Sequence, residues 1–221
     1  MLHERERKQV AETALTLLRS GLVVNTSGNV SIRIGQQVAI TPSGKAYESL
    51  DARDVVIVDL EGETIDGDLL PSSETPLHLS LYKADASIAA IVHTHSVYAT
   101  AVSTLVSTLP PIHYQIITLG GPVPVAPYAT FGTAELAANV TSTIAGRSAA
   151  LMQNHGAITT GASLEQALTR TYTLEWICEV YLTAAQSGDP SLLDDAELQR
   201  VAEQMQELAA EQGRRLAARD S

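Results

Sequence analysis

The feature that most constrains the fold is a short apolar run that ends abruptly in polar residues. Ile88-Ala89-Ala90-Ile91-Val92 carries no charge and is followed at once by His93-Thr94-His95. A run this short, with β-branched side chains, reads as a buried strand. Residues two apart on a strand point to the same face, so His93 and His95 leave the strand end side by side. Imidazole is the commonest zinc ligand. Two on one face supply half of a tetrahedral shell at ~2.0–2.1 Å. Taken alone, the pair is a weak signal and reads more readily as ordinary surface histidines.

The rest of the chain supplies elements around that strand. Glu6 to Ser20 carries an apolar stripe at helical spacing, with Gly21 as its stop. Val30 to Ile34 and Val38 to Thr41 flank Gly35-Gln36-Gln37 as a β-hairpin, and Asp54 to Leu60 is a third strand. Ser73 to Ala84, Ser96 to Leu105 and Thr133 to Ala145 read as helices. Ile112 to Leu119 and Val123 to Ala126 read as extended pieces, and Ala149 to Thr159 as one strand interrupted by polar residues. Ser163 with Gln166 is a capping-box spacing that opens a helix to about Gln186. Ser187-Gly188-Asp189-Pro190 breaks it, and Asp194 with Glu197 starts a last helix to near Gly213. No linker divides the chain, so helices packed on one sheet are expected. The hairpins make that sheet mixed or largely antiparallel.

Composition excludes several classes of function. The net charge of -11 over 221 residues argues against a nucleic-acid groove or an anionic membrane surface as partner, since both need clustered Lys and Arg. No stretch of eighteen apolar residues is present to span a bilayer. Met1 to Lys8 is charged and lacks the apolar core of a signal peptide. The single cysteine, Cys178, forms no internal disulfide and fits a reducing, cytoplasmic compartment.

Two further regions bear on chemistry. His155 follows the apolar stretch Ala149 to Met152 and precedes Gly156, so a third imidazole lies where an apolar strand emerges. Three His with an open fourth position is a catalytic zinc pattern, whereas structural zinc sites are closed and rich in Cys. The alternative for His155 is a hydrogen-bonded core histidine. His3, His78 and His113 lack such a setting and read as structural or solvated. Pro71-Ser72-Ser73-Glu74-Thr75 opens the helix ahead of the His strand, with Ser72 or Ser73 as N-cap and Glu74 in the first turn. It is complete as a well-capped helix. The same hydroxyls and free N–H groups also suit a phosphate, and Glu74 suits a ligand or a general base. Thr26 to Ser31 and Thr41 to Gly44 are polar turns that serve either local turn chemistry or anion binding.

These segments resemble the class II aldolase/adducin family. The resemblance rests on Ser27-Gly28-Asn29-Val30-Ser31, Ile40-Thr41-Pro42-Ser43-Gly44, Leu70-Pro71-Ser72-Ser73-Glu74 with His78, and Val92-His93-Thr94-His95. It continues through Ile112-His113-Tyr114, Ala126-Pro127-Tyr128-Ala129-Thr130-Phe131-Gly132-Thr133 and Gln153-Asn154-His155-Gly156. The pieces follow the family's order from about residue 6 to 186.

The resemblance implies a three-layer α/β/α sandwich around the mixed, largely antiparallel sheet. It implies one domain over 1–221 with a helical tail from about 194, assembled as a homotetramer with sites at subunit interfaces. It implies one zinc ion per chain on His93, His95, His155 and Glu74, with Glu74 also the acid/base. Phosphate would lie on Gly28, Asn29, Ser43, Gly44, Ser72 and Ser73, and Tyr114 would act in a neighbouring subunit's site. The implied enzyme is a metal-dependent aldehyde-lyase. It would cleave a ketose 1-phosphate, L-fuculose 1-phosphate or a related deoxyketose phosphate, to dihydroxyacetone phosphate and a short aldehyde. Family alternatives are pentulose-phosphate 4-epimerases, methylthioribulose-phosphate dehydratases and the metal-free adducin interaction head. Glu at position 74, where the epimerase branch carries Asp, favours an aldolase, and the full set of histidines disfavours the adducin role. Family aldolases carry a functional tyrosine in the C-terminal tail, whereas no Tyr follows Tyr181 here. Looser discrimination at the aldehyde end is therefore expected.

Overall fold

The computed structural model describes residues 1–217. Nine strands form one sheet: β1 Asn29–Ile34, β2 Gln37–Ile40, β3 Val56–Asp59, β4 Thr64–Asp66, β5 Ala90–Thr94, β6 Thr108–Leu109, β7 Val123–Ala126, β8 Ala149–Met152 and β9 Gly156–Gly161. Their order is β4-β3-β2-β1-β5-β9-β8-β7-β6. Neighbours pair antiparallel except β7 with β8, so the sheet is mixed and largely antiparallel as expected. The helices are α1 Glu4–Arg19, α2 Thr75–Ala84, α3 Val97–Ser103, α4 Ala134–Ile144, α5 Leu164–Ala185 and α6 Asp195–Ala217.

Strand alternation assigns the helices to two faces. Val38, Ile40, Val56, Val58, Ile91 and Ile158 pack with Leu77, Leu81, Leu136 and Val140, so α2 and α4 cover one face. Val30, Ala39, Ile57, Ala90 and Val92 point the other way and pack with Val10, Ala14, Leu17 and Ala167 of α1 and α5. Farther along that second face, Leu151 and Ala157 meet Ala99, Val102, Leu174 and Ile177 of α3 and α5. Helices therefore lie on both sides of the sheet. β5 is buried along its whole length, which is why it reads as a continuous apolar run.

The alternation has a second consequence. Ile91 faces α2, so His93, two residues on, faces α2 as well. Val30 faces α1, so Asn29 and Ser31 on the neighbouring strand turn toward α2 too. Asn29 and His93 are direct cross-strand partners. A polar row thus crosses two central strands beneath one helix.

Four expectations need correction. Ile112 to Leu119 is not extended: Tyr114–Leu119 forms 3₁₀ turns, ended by Gly120 at φ 93°. Buried Ile116 and Leu119 are three apart, the period of a 3₁₀ helix. Ala149 to Thr159 is not one strand but the hairpin of β8 and β9, and the polar interruption is its turn. Glu74, not Ser72 or Ser73, occupies the N-cap position of α2, because Pro76 marks the first turn. Edge strands β4 and β6 add to the strands expected from the sequence, being two or three residues long and largely exposed. The caps of α5 and α6 follow the sequence: Ser163 accepts from Gln166 N–H at 3.2 Å, and Asp194 from Glu197 N–H at 2.7 Å. The tail beyond residue 217 lies outside the described residues. Among the described residues no helix is long and apolar enough to cross a membrane.

Candidate active site

Three imidazoles and one carboxylate meet at the end of the central strands. His93 comes from the end of β5, His95 from just beyond it, His155 from the β8–β9 turn and Glu74 from the start of α2. Their ligand atoms all lie within 4.8 Å of one another. His93 Nε2 is 2.9 Å from His95 Nε2 and 3.0 Å from Glu74 Oε2, and His155 Nε2 is 3.2 Å from Glu74 Oε1. The rings meet edge-on, with centroids 4.8 to 5.0 Å apart. The β8–β9 turn reaches this point only because residue 156 is glycine. A Cβ there would collide with the Thr94 carbonyl oxygen and lie 3.2 Å from His95 Cδ2.

The electrostatics of the cluster suit a cation. Burial pushes the Glu74 carboxyl up, but His93 and His155 outweigh it and hold the group well below the usual carboxylate range. Burial disfavours charge on His93, yet the Glu74 carboxylate raises it above its ordinary value. His95 is pushed down to about 3 by burial and by its two imidazole neighbours. His93 Nδ1 lies 2.9 Å from the Ala157 carbonyl oxygen and donates to it, which turns Nε2 toward the cluster. Among the described residues Glu74 Oε1 is buried and without a hydrogen bond. Nitrogen lone pairs and an orphaned carboxylate oxygen converging on one point fit a divalent metal ion with three His and one carboxylate.

A cavity of about 480 Å³ opens in front of this cluster. Three loops form its polar wall. Residues 41–44 and 70–73 are zipped together: Ser43 N–H donates to Leu70 O at 2.9 Å, and Ser72 N–H to Thr41 O at 3.1 Å. Ser43 and Gly44 therefore lie beside Ser72 and Ser73. The loop at Gly28 is tied in by the Tyr47 hydroxyl, which donates to Gly28 O at 2.7 Å. Gly28 has φ +80°, and a Cβ there would stand 2.7 Å from His93 O, so no other residue fits. Gly28, Asn29, Ser43, Gly44, Ser72, Ser73, Glu74, His95 and His155 all line the cavity. So do Tyr128, Phe131 and Asn154, to which the sequence alone assigns no role. His93 lies behind, fully buried.

Two expected site residues behave differently from the rest. Asn29 lines the cavity, but its side-chain amide donates to Glu74 Oε2 at 2.8 Å and its carbonyl faces His78 Nε2 at 2.5 Å. Tyr114 stands apart from the cavity lining, 47% exposed, stacked on His113 with centroids 4.5 Å apart. His78, structural or solvated on its sequence, is fully buried behind Asn29, and burial pushes its imidazole down to about 3. The signal that could have found it is the spacing of Glu74, His78 and Tyr82, four residues apart on one helical face.

Comparisons with known proteins identify the family of this fold. The model of the Class II Aldolase and Adducin N-terminal domain matches residues 8–182. The L-fuculose phosphate aldolase of Escherichia coli (strain K12) is 41% identical over 198 residues, covering 89% of this chain and 92% of that protein. The 5-deoxy-D-ribulose 1-phosphate aldolase of Bacillus thuringiensis serovar kurstaki is 38% identical over 208 residues, 93% of this chain and 98% of its own. A solved L-fuculose 1-phosphate aldolase superposes with a TM-score of 0.90 at 35% identity, over 93% of this chain and 98% of the other. The chain belongs to the class II aldolase and adducin family and is one of its aldehyde-lyases.

Proposed function

We propose that this enzyme is a zinc-dependent aldolase. It cleaves a ketose 1-phosphate, either L-fuculose 1-phosphate or a related deoxyketose phosphate, to dihydroxyacetone phosphate and a short aldehyde. The observation that carries the reading is Glu74, a buried carboxylate held among three imidazoles at the floor of a cavity with neutral hydrogen-bond donors on its wall. Relatives named for fuculose phosphate and for 5-deoxyribulose 1-phosphate both fit that description, so the shared half of the substrate is the phosphorylated three-carbon unit.

His93, His95, His155 and Glu74 would hold the zinc ion, one per chain, which supplies Lewis acidity toward the ketose oxygens. The chain's own residues do the rest. Gly28, Asn29, Ser43, Gly44, Ser72 and Ser73 bind the phosphate through hydroxyls and backbone N–H groups. Neutral donors at a helix start suit an anion even in a chain of charge -11, because the field is local. Ser72 Oγ also accepts from Glu74 N–H at 3.2 Å, so the phosphate wall and the carboxylate share a turn. Anchoring the phosphate sets the reacting carbon near Glu74. Glu74 then takes or delivers the proton at that carbon. Tyr114 serves the site of a neighbouring subunit in a homotetramer, and the whole chain forms one domain of a cytoplasmic enzyme.

The test is a panel of ketose 1-phosphates with detection of dihydroxyacetone phosphate. Release from one or more of them, with poor turnover of the unphosphorylated ketose, is expected. Equal efficiency on phosphorylated and free ketose would rule out a phosphate-binding wall. The subunit arrangement has its own test. Oligomers reassembled from Glu74→Gln and Tyr114→Ala chains should regain activity that neither parent has, because some sites then receive both wild-type groups. Hybrids as inactive as their parents would show that Tyr114 does not act across an interface.

A further inference from the structure

Behind the cavity, four polar side chains run in single file through the core under α2. Tyr82 OH lies 2.7 Å from Ser31 Oγ, and Ser31 Oγ lies 2.7 Å from His78 Nδ1. His78 Nε2 lies 2.5 Å from Asn29 Oδ1, and Asn29 Nδ2 lies 2.8 Å from Glu74 Oε2. Tyr82, Ser31, His78 and Asn29 are all buried. Buried polar groups are costly unless paired, and here each is paired with the next.

The end of the file fixes the direction of every bond in it. A carboxylate only accepts, so Asn29 must turn its NH₂ toward Glu74. Its carbonyl then faces His78, so His78 must carry its proton on Nε2. A neutral imidazole protonated there accepts at Nδ1, so Ser31 donates to it. Ser31 in turn has its oxygen free to accept, and Tyr82 donates. All four donors point toward Glu74. Reversing any one of them would set two acceptors or two donors face to face.

We propose that His78, in the Nε2–H tautomer that the Asn29 carbonyl requires and with Ser31 and Tyr82 packed behind it, is a positioning residue for this reaction. It locks the amide of Asn29 with NH₂ toward Glu74, and so fixes the orientation of the carboxylate. Without the His78 N–H on its carbonyl, the amide of Asn29 is held at one end only and can swing off Glu74. That would leave the carboxylate without the donor that fixes its place among the imidazoles. Partners one step behind a ligand orient it in this way in metal sites generally. The proposal rests on the aldolase reading of Glu74.

The test has one readout independent of turnover and one that uses it. In the metal-free full-length chain labelled with ¹⁵N-histidine, the His78 ring should show Nε2 protonated and Nδ1 bare. The Asn29→Leu chain, lacking the carbonyl that accepts from Nε2, should show a mixture of tautomers. A His78 found as the Nδ1–H tautomer in the wild type would overturn the proposal. In steady-state kinetics, His78→Leu should lower kcat about 10–100-fold with KM within about 3-fold, the scale seen when a ligand's supporting partner is lost. His78→Gln, which returns an N–H near the Nε2 position, should regain most of that loss. In an Asn29→Leu background, His78→Leu should cost less than about 2-fold more, because its effect runs through Asn29. Equal losses for the Leu and Gln variants, or equal costs in both backgrounds, would assign His78 to packing alone. Should the Leu variant fail to fold, Ser31→Ala carries the same test, with kcat down about 5-fold for one lost hydrogen bond. A wild-type enzyme that cleaves no ketose 1-phosphate would sink the aldolase reading. The tautomer measurement would still decide whether the relay exists, because it needs no turnover.

Discussion

His93 and Glu74 are buried, and each is held by a group that is itself held: His93 by the Ala157 carbonyl, Glu74 by Asn29 with His78 behind it. Tyr128 and Phe131, at the mouth of the same cavity, are 57% and 64% exposed. The inner wall is tied into the centre of the sheet, where a shift in any member disturbs close-packed neighbours. The mouth is tied at fewer points, among them Tyr128 N–H on Gln153 at 3.2 Å. The contrast separates two tasks. Chemistry that must be preorganised is built from strand ends and a helix start. Under the proposed function, contact with the variable half of a substrate would fall to exposed aromatic side chains on a loop.

The sharpest way to break this comparison is at the inner wall. Glu74→Gln keeps the size of the side chain and removes its basicity, so kcat should fall ~10²–10⁴-fold while the fold persists. A Gln variant with wild-type kcat would reduce Glu74 to a cap. The phosphate wall comes next. Ser73→Ala should raise KM by about 10–100-fold and change kcat less, since a hydrogen bond to a charged group contributes ~1.5–3 kcal/mol to uniform binding. Should kcat fall instead of KM rising, the loops would belong with the chemistry, and binding and catalysis would not divide between them and the inner wall.

At the mouth the effect should be smaller and of another kind. Tyr128→Ala should shift the ratio of kcat/KM between two ketose 1-phosphates differing beyond the cleaved bond by about 10-fold. Its best kcat should stay near wild type; a large fall there would make the mouth part of the machinery. The smallest effect is expected far from the cavity. Buried Arg7 pairs with Asp66 at 2.6 Å and also donates to the Leu2 carbonyl at 2.8 Å. The Leu2 N–H, with Arg7 beside it, holds the Asp66 carboxyl below its ordinary value. A depressed carboxylate contributes stability above its unfolded pKa and loses it as pH falls through the folded one. Asp66→Asn should therefore lower Tm at pH 7 by about 2–4 °C. The difference should shrink in acid below the ordinary carboxylate range, and kcat/KM should not change. A difference in Tm that persists undiminished in acid would place the effect in packing rather than charge.

Much of the inner wall is legible in the sequence because its physics is local. An apolar run ending in His-Thr-His fixes both the strand and the face of the two imidazoles, and His155 beside Gly156 marks a tight turn after another apolar run. The relay behind it is hidden because no single member is unusual. Ser31 alternates with apolar residues on β1 as a surface serine would, and only the assembled sheet places it under α2. His78 and Tyr82 look like the polar side of a helix until the burial of that face is known. The segment that begins at Tyr114 misleads for a different reason. It is apolar and β-branched, which suits a strand, but Gly120 and the three-residue spacing of Ile116 and Leu119 close it into 3₁₀ turns. Strands β4 and β6 leave no pattern to read, since two or three residues are too few to show an alternation.

Everything proposed for the chemistry depends on a metal ion at His93, His95, His155 and Glu74. Elemental analysis of the purified protein beside its His95→Ala variant tests this most directly. About one zinc per chain in the wild type, and nearly none in the variant, is the predicted result. Zinc content unchanged by the loss of His95 would contradict it.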